Sequence, residues 1–339
     1  MSIESFEILT QRFFSTLAIL TNSLLLHLII TKSSSQLGTY KYLMIYIAFF
    51  EVLYAIIELL MVPKVLTNDS GFLILAVPER TPLPIRFLPY LNLIFCAAFG
   101  TTTALFAMHF LFRYLVVSRD TTLTTLSSFT LIFWLSTPLI IGSMWAAVYH
   151  FFCGPDQNTL NFLTNNSDNT DNITGISFIG AYFYPTDSKG DMFINWKNMI
   201  GISLISILLS SSCSVMLYFG VKCYRIIAVL SLHSKEFRTY QMQLFLALVL
   251  QTIIPALLMH LPCMLIALTC LLNSSSQFFG RLLVVSISSY LAIDPLPTMF
   301  VISDYRKVIT GWLPGSSRSR PTLFIVKTSL RMFQNTISD

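Results

Sequence analysis

Seven apolar runs divide this chain, each about 20 residues or longer, the length a helix needs to cross roughly 30 Å of hydrocarbon. They cover 13–31, 42–62, 88–112, 128–149, 198–221, 242–271 and 281–303. None shows the polar stripe that a helix on a water-soluble core would carry. Of 339 residues, 54 % are hydrophobic and 11 % charged, with mean hydropathy +0.69. A soluble domain carries roughly 25 % charged residues. The sequence predicts an all-α membrane protein built as a seven-transmembrane helix bundle.

The loops set the orientation. Basic residues concentrate in every second loop and after the last run: Lys32, Lys41, Arg113, Arg119, Lys222, Arg225, Lys235, Arg238, Arg306 and Lys307. Positive charge stays on the cytoplasmic side, which places the N-terminus extracellular and the C-terminus cytoplasmic. The four Asn-x-Ser/Thr sequons, at Asn68, Asn165, Asn172 and Asn273, all fall in the opposite, outer segments and are candidate N-glycosylation sites. A formal net charge of +5 is then a property of the inner membrane face, and no nucleic-acid partner is expected. The leader of the first run is acidic (Glu4, Glu7), unlike a signal peptide, so this run is read as an uncleaved span.

The bundle occupies 1–312 as one domain, and 313–339 reads as a disordered cytoplasmic tail. Its start, 305–312, suits a short interfacial helix. The segment 150–197 is rich in Asn, Asp, Thr and Ser and is expected to be a flexible, glycosylated outer loop. Six cysteines show no metal-ligand spacing. Only Cys153 falls clearly in oxidising space; a disulfide to Cys96 or Cys270 and an inert packing thiol both fit.

Polar groups inside the runs are costly and tend to face the bundle interior. Asn22, Glu51 and Asp294 each lie about nine residues from a cytoplasmic boundary, hence at one depth roughly 14 Å above it. One intramembrane polar cluster, serving as hinge or as ion or proton site, is one reading; separate local hydrogen bonds are the other. Pro255 and Pro262 in the sixth run, and Pro295 and Pro297 in the seventh, predict helix kinks. Glu58 lies seven residues after Glu51 on the same helical face. With Asn92, Thr101, Thr102 and Ser288 it is a candidate for an outward ligand pocket. Arg113 closes the third run in His109-Phe110-Leu111-Phe112-Arg113-Tyr114, either as a snorkelling interfacial arginine or as a switch contacting a cytoplasmic partner.

These residues bring in a resemblance. Leu37-Gly38-Thr39-Tyr40-Lys41-Tyr42-Leu43-Met44, Phe50-Glu51-Val52-Leu53-Tyr54, the segment around Arg113, Gln251-Thr252-Ile253-Ile254-Pro255 and Asp294-Pro295-Leu296-Pro297 followed by Tyr305-Arg306 resemble, in order and spacing, the nematode seven-transmembrane chemoreceptors of the Str type. The resemblance covers nearly the whole chain. It implies a G-protein-coupled receptor for environmental chemicals in the plasma membrane of sensory cilia, with a small-molecule ligand outside and a heterotrimeric G protein inside. Departures from the broader rhodopsin-like pattern are Phe112 where an acid would pair with the arginine, and Thr298 where a tyrosine would follow Asp294-Pro295. Glu236 or Asp120 is the expected substitute partner for Arg113.

The expected function is therefore a ligand-operated switch without enzymatic chemistry or cofactor. Arg113, Tyr114, Arg225, Lys235 and Arg238 are the candidate switch and G-protein contacts. The alternative is a transporter or channel that uses Glu51, Glu58 and Asp294 along a conduction path. No inverted repeat supports it. A retinal chromophore is excluded because 281–303 contains no lysine for a Schiff base.

Overall fold

The computed structural model describes residues 2–33, 37, 40–118, 128–166, 175–187, 190–229 and 235–311, with backbone alone at 128–131, 229 and 235–238. Asn172, Asp120 and the tail beyond 311 lie outside the described residues, as do the side chains of Lys235, Glu236 and Arg238.

Among the described residues, seven helices are long and apolar enough to cross a membrane. They are α1 (Ile3–Lys32), α2 (Tyr40–Met61), α3 (Leu88–Ser118), α4 (Ser128–Phe152), α6 (Trp196–Val229), a sixth span in pieces, and a seventh that is broken. The sixth runs as α7 (Lys235–Pro255), a π-helical turn (Ala256–His260) and α8 (Leu261–Leu271). The seventh runs as α9 (Gln277–Ile293) and α10 (Pro295–Val301), hinged at Asp294, and α11 (Ser303–Gly311) follows it. Pro255 opens the π turn, and Pro262 and Pro295 sit in the first turns of α8 and α10, where a missing N–H costs nothing.

Helix α3 is the central column; nearly every residue from Ala98 to Phe110 is buried. It packs closely on α4, where a Cβ at Gly142 would collide with Thr101 and the Ala97 carbonyl. Such small residues let membrane helices approach, because dispersion contacts replace a hydrophobic drive. Large apolar side chains such as Ile132, Phe133, Ile207, Leu217 and Leu257 point outward. In water they would be a liability; in a bilayer they are the solvated surface.

The sequence predicts only helices and loops, yet one end of the bundle carries an antiparallel sheet of β1 (Lys64–Asn68), β2 (Gly71–Ala76) and β3 (Ser177–Tyr182), in that order. β1 and β2 form a hairpin, with Asn68 opposite Gly71 and Asp69 at φ 45°, a left-handed turn position that Asp tolerates. β3 comes from the segment expected to be a flexible loop, and so does α5 (Gln157–Asn166). That expectation is corrected for the described part of 150–197. Asp156 and Thr159 cap α5 reciprocally, Thr159 N–H donating to Asp156 Oδ1 at 2.8 Å and Asp156 N–H to Thr159 Oγ1 at 2.9 Å. Phe162 and Leu163 of α5 then bury against Leu66, Leu73, Leu75 and Phe178 on the outer face of the sheet. The polar composition conceals a small core of its own.

The sheet is tied to most spans. Asn92 of α3 donates to the Ile74 and Ser177 carbonyls at 3.0 and 3.3 Å. Asn198 of α6 donates to Phe152 O at 2.7 Å and accepts from Tyr182 N–H at 2.9 Å. Thr67 donates to Ser276 O at 2.5 Å and accepts from Gly280 N–H, and a Cβ at Gly280 would strike the Val65 carbonyl. Helix α1 begins about ten residues before the predicted span for a related reason. Its first turns carry Glu4 and Glu7, which bind Arg80 below β2 at 2.8 and 2.9 Å, and Arg80 is only 3 % exposed.

Among the described residues, removing Arg80 leaves the nearly buried Glu7 carboxylate only two long contacts, Gln11 at 3.4 Å and Arg281 at 4.0 Å. Arg80→Ala should therefore cost about 3–5 kcal/mol of stability, and the double variant Arg80→Ala/Glu7→Gln should recover part of it. Thermal unfolding of the receptor in lipid nanodiscs measures both; equal melting temperatures for wild type and Arg80→Ala would contradict the arrangement.

Candidate functional site

Beneath the sheet lies a cavity of about 110 Å³. Its roof is Val65, Phe72 and Ile74, and its walls are Phe95, Cys96 and Phe99 of α3, Trp145 and Tyr149 of α4, Ile202, Ile205, Ser206 and Leu209 of α6, Cys263, Met264, Ile266 and Ala267 of α8, and Leu283, Val284 and Ile287 of α9. The alternation of β1 and β2 explains the roof: Val65, Thr67, Phe72 and Ile74 point into the bundle, Leu66, Leu73 and Leu75 outward. The lining is almost wholly hydrocarbon and aromatic. Apolar cavities of roughly this class, near 150 Å³, stay dry and accept molecules the size of benzene.

None of the five residues expected in a ligand pocket lines this cavity, and each has another task. Ser288 of α9 donates a short hydrogen bond to Glu58, which is buried between α2 and α9. Asn92 holds the sheet, while Thr101 and Thr102 donate to carbonyls one turn back, Ala97 at 2.8 Å and Ala98 at 3.0 Å. Asn92, Thr101 and Thr102 thus spend their polar groups on backbone acceptors, and Ser288 and Glu58 meet each other.

Of the proposed polar cluster, two members meet. The Glu51 and Asp294 carboxyls lie side by side, both fully enclosed in the bundle. Gln251 of α7 donates to Asp294 Oδ2 at 3.2 Å and accepts from Thr298 Oγ1 at 2.8 Å. Asn22 instead donates to Leu291 O at 3.0 Å and Ala18 O at 3.1 Å, joining α1 to the turn just before Asp294. The cluster thus spans α2, α7 and the break in the seventh span. Gln251 and Thr298 were in the sequence as a motif and as a departure, but not as members of one network.

At the far end Arg113 is 1 % exposed. Its Nη2 donates to Gln241 of α7 twice, to the backbone O at 3.0 Å and to Oε1 at 2.5 Å. The guanidinium lies 5.1 Å from the Tyr40 ring centre, and the Tyr40 hydroxyl hydrogen-bonds His109 Nε2 at 2.5 Å. Among the described residues no carboxylate pairs with Arg113. Carbonyl dipoles and a π-face hold the cation where an acid was expected. Asp120 and the Glu236 side chain lie outside the described residues; the partner seen is Gln241, which a search for opposite charges passes over. Tyr114 packs on Phe219 with ring centres 5.3 Å apart, beneath Lys222, and Arg225 is exposed.

All six cysteines are free thiols and Cys153 is a buried one, so the bridge to Cys96 or Cys270 is not formed. Burial pushes its thiol up to about 12, which keeps it protonated and unreactive. Asn165 and Asn273 are exposed and Asn68 is half-buried, all at the sheet end.

Seven spans around a central third helix, a roofed cavity at one end and a buried arginine at the other define a seven-transmembrane receptor of the G-protein-coupled type. More narrowly, residues 7–310 match the family of serpentine type 7TM GPCR chemoreceptors Str, and the chain belongs to it. It is 29 % identical to the Caenorhabditis elegans G-protein coupled receptor str-217, over 87 % of this chain and 86 % of that one. It is also 29 % identical to serpentine receptor class r-10 of the same organism, over 90 % of each. Among solved structures it is similar in fold to squid rhodopsin, with TM-score 0.63 at 13 % identity, covering 91 % of this chain and 84 % of that one.

Gln251→Leu deletes the donor to Asp294 and the acceptor of Thr298 together. It should lower stability by about 1–3 kcal/mol, read as a fall in melting temperature in nanodiscs. An unchanged melting temperature would mean the network is not formed.

Proposed function

We propose that this receptor senses a small, apolar or weakly polar environmental chemical bound in the cavity under the sheet, and passes the signal to a heterotrimeric G protein at the opposite end. The observation that carries this reading is the sixth span, which takes part in both sites. Cys263, Met264, Ile266 and Ala267 form a cavity wall, and Gln241 on the same span holds Arg113. Between them lie Pro255, the π turn and Pro262, a segment whose backbone hydrogen bonding is already interrupted.

A ligand filling the cavity favours the arrangement of α8 that it contacts best, and only that differential contact shifts the balance. Rotation about the proline-π segment carries α7 with it. That draws Gln241 from Arg113 and opens the inner end between α3, α6 and α7, where Tyr114, Arg225, Lys235 and Arg238 stand. The cluster at Glu51, Asp294, Gln251 and Thr298 sits midway and links α7 to the hinge in the seventh span. Glu51, Glu58 and Asp294 are each engaged by neighbouring side chains, which favours a switching or structural role over a conduction path.

In this reading the sheet end is extracellular, in keeping with the positive-inside distribution and the placement of Asn68, Asn165 and Asn273 as glycan acceptors. Residues 1–312 act as the receptor domain and 313–339 as a cytoplasmic tail. The sensory cilium is the proposed membrane.

A ligand panel scored by second-messenger change, in cells co-expressing a G protein, tests this. Arg113→Ala should abolish responses with surface expression kept, and Ala267→Phe should abolish them by filling the cavity. Undiminished responses in either would sink the assignment of that residue. Gln241→Leu removes a charged hydrogen bond worth about 1.5–3 kcal/mol, so ligand-free signalling should rise on the order of tenfold. A basal level equal to wild type would show that Gln241 does not hold the resting state.

A further inference from the structure

Among the described residues the cavity is roofed over on the sheet side. Its roof residues Val65, Phe72 and Ile74 are at most 9 % exposed. The strands above are bolted to neighbours on every side. Besides the ties through Asn92, Asn198 and Thr67, Asp69 and Ser275 exchange two backbone hydrogen bonds of 3.0 Å with the α8–α9 turn. Gly180 N–H donates to Cys153 O at 2.9 Å at the end of α4, and the Tyr184 hydroxyl donates to Leu271 O at 3.1 Å at the end of α8.

The side wall differs. Ser206 of α6 and Met264 of α8 both line the cavity, yet both are exposed on the outer surface of the bundle, Met264 by 59 %. In a bilayer that surface faces acyl chains. Helix α6 packs mainly on α3 and α4, and meets the sixth span chiefly through α7, at the far end. Its outer half is thus left apart from α8. The seam is chemically apolar as well, because the Ser206 hydroxyl is engaged by Ile202 O at 2.8 Å and Leu261 and Leu268 flank Met264 as lipid-facing side chains.

From this geometry we infer that the cavity fills from within the bilayer, through the seam between Ser206 and Met264, and that its ligands are lipophilic molecules that partition into the membrane first. The inference rests on the reading of the cavity as the ligand site. It assigns the seam a selecting role: a polar or charged solute of suitable size is refused because it does not enter the acyl layer, whatever its fit inside.

Trp145, a cavity wall residue 3 % exposed, reports occupancy. The test uses the full chain in lipid nanodiscs with Trp134→Phe, Trp196→Phe and Trp312→Phe, so that only Trp145 emits, and 1-bromohexane as a small apolar quencher. Quenching should saturate, and its rate should follow the bromohexane content of the bilayer rather than the aqueous concentration when the lipid-to-water ratio is varied. Ser203→Phe and Leu268→Phe, exposed positions on the lipid face of α6 and α8 that border the seam without lining the cavity, should, singly and together, slow the onset by about tenfold with the final amplitude unchanged, since a plugged route alters rate and not equilibrium. An unchanged amplitude also shows that the plugged variants fold. Onset indifferent to both plugs but accelerated by Asn92→Ala, which loosens the roof, would overturn the lateral route in favour of an aqueous one. Absence of saturable quenching in every variant would instead overturn the cavity as a ligand site, and the route with it.

Discussion

Hydrocarbon offers no hydrogen bonds, and the internal order of this bundle follows from where its buried polar groups found theirs. Arg113 is the extreme case: a cation enclosed in the core and held, among the described residues, by a glutamine and a tyrosine ring with no carboxylate beside it. A buried charge without a counter-charge is costly, so its neighbours are constrained to supply dipoles. That constraint fixes α7 against α3 and brings Tyr40 and His109 together beside it. Higher in the bundle, Asp294 plays the same part. It draws Glu51 and Gln251 to one point, and the backbone hydrogen-bond ladder is interrupted there because the next residue is proline.

These two polar centres lie apart from the cavity beneath the sheet, whose own lining is almost wholly apolar. The division is physical before it is functional. An apolar cavity can remain empty or admit an apolar guest at little cost, because no group in its wall loses a hydrogen bond either way. A polar network has discrete arrangements and resists gradual deformation. A guest at one end and a two-state network at the other, joined by a span interrupted at Pro255 and Pro262, are the parts an allosteric switch requires.

Much of this was legible in the residues. The seven runs, their order and the breaks at proline follow from hydropathy and from the missing donor of proline. Asn22, Glu51, Asp294 and Arg113 stood out because polar atoms in apolar runs demand partners. Their actual partners were harder to read. Gln241 is uncharged and sits at a span end, Gln251 is an uncharged residue known only as part of a motif, and helix rotation, which composition does not encode, decides what they face. The sheet was hidden differently. Asn68-Asp69-Ser70-Gly71 between two β-prone runs is a hairpin signal, and Asp156-x-x-Thr159 before Leu160 and Phe162 is a helix start. Both are masked by the polar bias of the segments around them. The cavity residues carry no sequence signal at all, since apolar side chains in apolar helices look alike whether they face lipid, protein or a void.

The claim on which the rest hangs is that filling the cavity separates Arg113 from Gln241. Spin labels at Ser118 on α3 and Met242 on α7, in nanodiscs, measure that directly by electron–electron double resonance. Adding an agonist from the ligand panel should lengthen the mean distance, and should leave it unchanged in the Ala267→Phe receptor. A distance that stays fixed while the agonist demonstrably occupies the cavity would contradict the proposed coupling.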